Sequence, residues 1–118
     1  MAKFMFLFRG GGIVVKPPPP PAEIGAHLAK WTEWVGGLVK AGHVEMRAPP
    51  LENGGKVVRG YAKAVTDGPY AEAKDLVSGI VVISASSIEE AVELARGCPI
   101  YEYDGSVEVR PVQEYSER

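Results

Sequence analysis

The stretch SGIVVISASSIEEAVELARGCP, residues 78–99, decides the fold. Ile80 to Ile83 is an unbroken β-branched run, which predicts a central strand. Directly behind it, Ser87 with Glu90 fits a capping box, as does Ser86 with Glu89 one residue earlier. In either register a hydroxyl and a carboxylate satisfy backbone amides that a helix start leaves free. Ile88, Ala91, Val92 and Ala95 recur at helical spacing and are expected to form the buried face. Gly97 and Pro99 stop the helix. The chain then runs into GSVEVRPV, residues 105–112. Val107 and Val109 alternate there with Glu108 and Arg110, so a half-exposed strand should follow.

The N-terminal half repeats this plan. KFMFLF, Lys3 to Phe8, places Phe4, Phe6 and Phe8 on one face of a strand and Met5 and Leu7 on the other. Both faces are apolar, so the strand should be covered on both sides. RGGGIVVKPPPPP, residues 9–21, reads as a loop whose prolines favour extended polyproline II. From Ala22 to Ala41, Ile24, Leu28, Trp31, Val35 and Leu38 step by four, three, four and three, the stripe of an amphipathic helix. Pro21 suits its start and Gly42 its end. Gly36-Gly37 suits close packing against a sheet. Short strands are expected around Val44–Met46 and Val57–Val65, divided by a turn at Asn53-Gly54-Gly55.

Two β-α-β halves in this order predict a ferredoxin-like α+β sandwich with both helices on one face of an antiparallel sheet. The sheet's other face, apolar and left without helices, calls for a second copy of the chain, so a homodimer is expected. At 118 residues the whole chain fits one domain, 1–118. A formal net charge of -2 and no basic run argue against nucleic acid or an anionic membrane as partner. The apolar run Phe4–Phe8 is too short for a signal peptide core, and no stretch is long enough to span a bilayer. The single cysteine, Cys98, permits no internal disulfide and suits a reducing, cytoplasmic location.

VTDGPYAEAKDLVSGIVVISASSIEEAVELARGCP, residues 65–99, followed by GSVEVRPV, resembles the YCII-related family in its DGPF-type branch. The name comes from an Asp-Gly-Pro-Phe turn, here Asp67-Gly68-Pro69-Tyr70. The resemblance covers nearly the whole chain. It implies a ferredoxin-like fold that dimerises into an α/β barrel, and most such proteins have no established activity. Some relatives are fused to sigma factors, and one YCII-like protein resembles a dehydrochlorinase. YCII-like relatives share a first-helix His and an Asp, proposed as an acid/base pair. His27 falls at the matching place. The segment that should supply the Asp, GGLVKAGHVE at residues 36–45, has none. Asp67 is the substitute the sequence offers.

His27, Trp31 and Trp34 are spaced i, i+4 and i+7, so imidazole and both indoles should line one cavity. Imidazole suits proton transfer near neutrality, and a carboxylate partner would fix its tautomer. The expected site therefore has His27 and Asp67 as catalytic pair and Trp31, Trp34 and Tyr70 as substrate-binding walls. It needs no cofactor and no metal. The implied function is a small-molecule lyase or isomerase working in a dimer pocket. The alternative is a non-catalytic dimeric module that binds a ligand or regulatory partner, linked to transcription. Other features read as structural. His43-x-Glu45 offers two metal-ligand types without a third. Cys98 is a small buried hydrophobe at a helix C-terminus, which disfavours thiolate. Arg9–Gly12 lacks the Lys-Ser/Thr of a phosphate loop. Glu72, Lys74 and Asp75 form a solvated charged loop.

Overall fold

The computed structural model describes residues 1–11, 19–52, 54–68 and 75–113. Its elements are strand β1 (Ala2–Arg9), helix α1 (Pro21–Lys40), strands β2 (Val44–Arg47), β3 (Gly55–Arg59), β4 (Ala64–Gly68) and β5 (Val77–Ala85), helix α2 (Ile88–Arg96), a short 3₁₀ helix (Pro99–Tyr103) and strand β6 (Ser106–Pro111). β2, β5, β1 and β6 lie side by side in that order, every neighbouring pair antiparallel. Without the inserted β3–β4 hairpin this is the β-α-β-β-α-β order of a ferredoxin-like sheet, first and third strands central. The predicted α+β class is the observed one. No helix among the described residues is long and apolar enough to cross a membrane.

Register explains which residues form the core. Phe4 faces Ile83 and Phe6 faces Val81 across the β1–β5 ladder, while Phe6 faces Val109 and Phe8 faces Val107 on β6. Cross-strand partners share a face, and this face is the one covered by the helices. Phe4, Phe6, Phe8, Val81 and Ile83 are buried there with Ala91 and Ala95 of α2. Phe6 stacks on Trp34, ring centroids 6.2 Å apart. The opposite face carries Met5 against Val82 and Leu7 against Ile80, with Met46 beside Val82. These four central side chains are half-buried and Met46 is exposed, so an apolar sheet face stands with no helix over it among the described residues.

Both helix starts follow their local signals. Pro21 occupies the first helical turn of α1, where its missing N–H costs nothing, and Gly42 just past its end has φ +80°. For α2, Ser87 Oγ accepts the Glu90 backbone N–H at 3.1 Å. The return bond goes to the neighbouring residue: Glu90 Oε1 accepts the Ser86 N–H at 2.9 Å.

The buried faces are rotated from those expected. On α1, Leu28 points out, 54% exposed, and the buried line runs through His27 and Leu38, with Trp31 and Trp34 half-buried between them. Two indoles and an imidazole take the space that the Ile24–Leu28 stripe would have filled. On α2, Ile88 and Val92 are exposed and Leu94 packs on the core instead. Gly36 and Gly37 meet no atom within 4 Å of an added Cβ, so close packing against the sheet is not their role.

The segment expected as one strand, Val57–Val65, is a hairpin that turns at Gly60–Lys63, with Arg59 opposite Ala64. Of the Asn53-Gly54-Gly55 turn, Asn53 lies outside the described residues. The hairpin forms its own two-stranded sheet. Val58 and Val65 face each other on it, 65% and 63% exposed.

Candidate functional site

His27 sits in the second turn of α1 and is only 3% exposed. Two side chains from different elements satisfy it. Trp31, one turn along the same helix, donates its indole Nε1–H to His27 Nε2 at 3.0 Å. Glu102, on the 3₁₀ helix, holds His27 Nδ1 at 2.6 Å through Oε1. An indole nitrogen only donates and a carboxylate only accepts, so the pair of contacts assigns the tautomer: Nδ1 carries the proton and Nε2 the lone pair. Tyr103 closes the group, its ring edge-on to the imidazole with centroids 4.6 Å apart, and its hydroxyl donates to Glu23 at 3.3 Å.

Glu102 bridges two cations or potential cations. Its Oε2 accepts from Lys30 Nζ at 2.5 Å while Oε1 takes His27. The hydrogen bonds from His27 and then Lys30 hold its carboxyl below the ordinary value of 4.5. The bond to Glu102 raises Lys30 in turn. Burial pushes up the Tyr103 phenol, and the nearby Glu23 charge adds to it.

Backbone packing brings Glu102 to this place. Pro99 starts the 3₁₀ helix and Ile100, 1% exposed, pins it. Ile100 is wedged against two glycines: an added Cβ would lie 2.2 Å from its Cγ1 at Gly11 and 2.4 Å at Gly105. Gly11 also has φ +71°, which disfavours any side chain there.

Beside His27 a cavity of about 650 Å³ opens between α1 and the sheet, with Phe8, Trp31, Val35, Arg47 and Ser78 among its walls. Its size suits a small organic ligand. The dyad's two members face different spaces: His27 lines this cavity, whereas Glu102 lines a separate groove of about 720 Å³ between the two helices. A ligand in the cavity would therefore meet the imidazole, with the carboxylate behind it.

The expected site residues divide accordingly. His27 and Trp31 share the cavity as their spacing requires. Trp34 does not join them: it lines the interhelical groove, donates its indole N–H to the Leu94 carbonyl at 3.1 Å and stacks in the core. Asp67 is not the carboxylate bonded to His27. It lies on exposed β4, opposite Lys56 in the hairpin register and ion-paired with it. Tyr70, with Pro69, Glu72 and Lys74, lies outside the described residues. Glu102 was missed because nothing local in CPIYEYDG distinguishes its carboxylate from any exposed acid.

His43 Nδ1 bonds the Ser84 carbonyl at 2.8 Å, and no three potential metal ligands cluster among the described residues. Cys98 is 3% exposed, and burial pushes its thiol up to about 12. Arg9 is bound to Glu108 and to the Asp75 carbonyl.

Among solved structures, the chain is similar to 5-chloro-2-hydroxyhydroquinone dehydrochlorinase from Burkholderia phenoliruptrix in complex with 2,5-dihydroxybenzoquinone. The identity is 11%, the TM-score 0.46, and the match covers 96% of this chain and 95% of that one. No curated protein matches the sequence. The profile of the YCII-related domain matches residues 18–116. With that match spanning most of its length, the chain belongs to the YCII-related family.

Proposed function

We propose that the chain is a small-molecule lyase or isomerase whose site is the cavity beside His27. The observation that carries this reading is a buried imidazole held at 2.6 Å by a carboxylate on one side and lining a ligand-sized cavity on the other. In such a dyad the carboxylate fixes the tautomer and stabilises the imidazolium that forms. Glu102 is then a positioning residue and His27 the base. Its Nε2 lone pair is capped by Trp31, so a ligand must turn the indole aside before Nε2 accepts a proton. A C–H bond α to a carbonyl would break, its proton going to Nε2 and its electron pair into an enolate. Return of the proton at another carbon gives isomerisation, and loss of a leaving group from the β-carbon gives elimination.

The working unit in this proposal is a homodimer, because the face formed by Met5, Leu7, Ile80 and Val82 is apolar and free of helices. One observation favours a second reading. Both ring nitrogens of His27 are already satisfied within the chain, which is how a purely structural histidine looks, and the cavity would then bind a ligand without transforming it.

Proton exchange separates the two. A panel of small aryl ketones and aryl 2-oxo acids is incubated with the protein in D₂O, and deuterium entry at the α-carbon is followed by proton NMR. The enzyme reading expects exchange that His27→Gln abolishes and Glu102→Gln reduces by roughly tenfold to a hundredfold or more. Exchange unaffected by His27→Gln, or ligand binding without any exchange, leaves the binding-module reading in place.

A further inference from the structure

We infer that the cavity beside His27 takes an organic anion, an apolar body bearing a carboxylate, with Arg47 as the counter-charge. This rests on the reading of that cavity as the ligand site and adds the class of ligand.

Arg47 stands out by its register. On edge strand β2, Met46 pairs with Val82 and shares the sheet's open face, whereas Arg47 pairs with Val81, which is buried on the helix-covered face. The strand thus directs a permanent cation toward the space under α1, and Arg47 lines the cavity there. Its guanidinium forms no hydrogen bond or ion pair with a described residue. Arg9, Arg96 and Arg110, by contrast, each hold a glutamate. Arginine's planar fork matches a carboxylate bidentately and cannot be discharged.

The other charges near the cavity leave this role to Arg47. Lys30 is committed to Glu102 on the groove side. His27 presents a lone pair on Nε2, not a donor. Glu52 also lines the cavity, on the loop past Pro50 and Leu51, and it too is without a partner among the described residues. It disfavours a second anionic group, so the cavity is matched to a monoanion rather than a dianion. Phe8, Trp31, Val35 and Ile100 supply apolar and aromatic walls for the ligand's body.

The test uses three probes of one shape: 2-naphthoate, its neutral carboxamide and 2-naphthylmethylammonium, each titrated calorimetrically into the intact protein. The naphthoate should bind at least roughly tenfold more tightly than the carboxamide. Arg47→Gln should bring that ratio to about one, chiefly by weakening the naphthoate, and Arg47→Lys should restore part of it. Arg47 is exposed, so the variants are expected to fold, which circular dichroism checks. Equal affinity for acid and amide in the wild type, a preference that survives Arg47→Gln, or an ammonium that binds most tightly would each overturn the inference while leaving the cavity as a site. Failure of all three probes to bind would remove the site itself.

Discussion

Replacing Trp31 by Phe removes the one donor on His27 Nε2 and leaves a ring in place. The indole N–H reaches Nε2 at 3.0 Å, and the imidazole behind it is 3% exposed. A buried acceptor left without a donor costs about 1–3 kcal/mol. The lost part of the indole also leaves a void beside Phe8, whose ring it meets edge-on at a 5.2 Å centroid separation; this adds about 1 kcal/mol. The sum is about 2–4 kcal/mol, or roughly 8–16 °C in Tm for a chain of this size. Combining Trp31→Phe with His27→Leu removes donor and acceptor together, so the double variant should lose much less than the two single losses added. Urea and thermal unfolding measure the energies, and nitrogen-15 NMR reads the tautomer directly. In the wild type Nδ1 should show the shift of a protonated nitrogen and Nε2 that of a lone-pair nitrogen. A wild-type Nε2–H tautomer, or a Trp31→Phe variant with Tm within about 2 °C of the parent, would refute the assignment of Trp31 as donor to His27.

Two further outcomes follow from the geometry. Glu102 is held below the ordinary carboxylate value of 4.5 by His27 and Lys30, so its contribution is complete above that value and disappears as pH falls through the depressed one. Wild type should therefore exceed Glu102→Gln in stability at pH 6 and lose that margin progressively as pH falls below 4.5; a margin equal at pH 6 and pH 3 would show that the carboxylate does not hold the 3₁₀ helix to α1. Leu7→Asp places a charge in the centre of the open sheet face, where Leu7 pairs with Ile80. Light scattering should show the mass of a dimer for the wild type and of a monomer for this variant, and a wild type that is monomeric at micromolar concentration would dismiss the dimer.

What the sequence discloses about this fold is what neighbouring residues can express. Phe4, Phe6 and Phe8 alternate because a strand does, and the structure buries all three. Ser86, Ser87 and Glu90 cap α2 through bonds spanning three or four positions. Helical spacing alone does not fix which side of a helix faces the core, since a stripe of Ile24 and Leu28 and a line through His27 and Leu38 lie on neighbouring sides of α1. The choice between them was made by volume: Trp31 and Trp34 pack against Phe6 and Phe8, and rotating α1 to bury Leu28 would expose the indoles. Ile88 and Val92 turn outward on α2, where Ala91 and Ala95 meet the core.

The site divides along the same line. Its histidine was legible because it falls at the first-helix position that the family resemblance marks, one helical turn before Trp31. Its carboxylate was not, because Glu102 is 75 residues away and meets His27 only when the 3₁₀ helix docks. That docking depends on Ile100 fitting between Gly11 and Gly105, a contact between the chain just past β1 and the 3₁₀ segment with the turn that ends it. Asp67 was the reasonable substitute by composition, and the hairpin register gave it to Lys56. Had Glu102 been read as the acid, the tautomer of His27 would still have been open, since only the indole on Nε2 decides which nitrogen keeps the proton. The dyad is therefore a property of three side chains held at once, and any chemistry at His27 begins with the movement of Trp31.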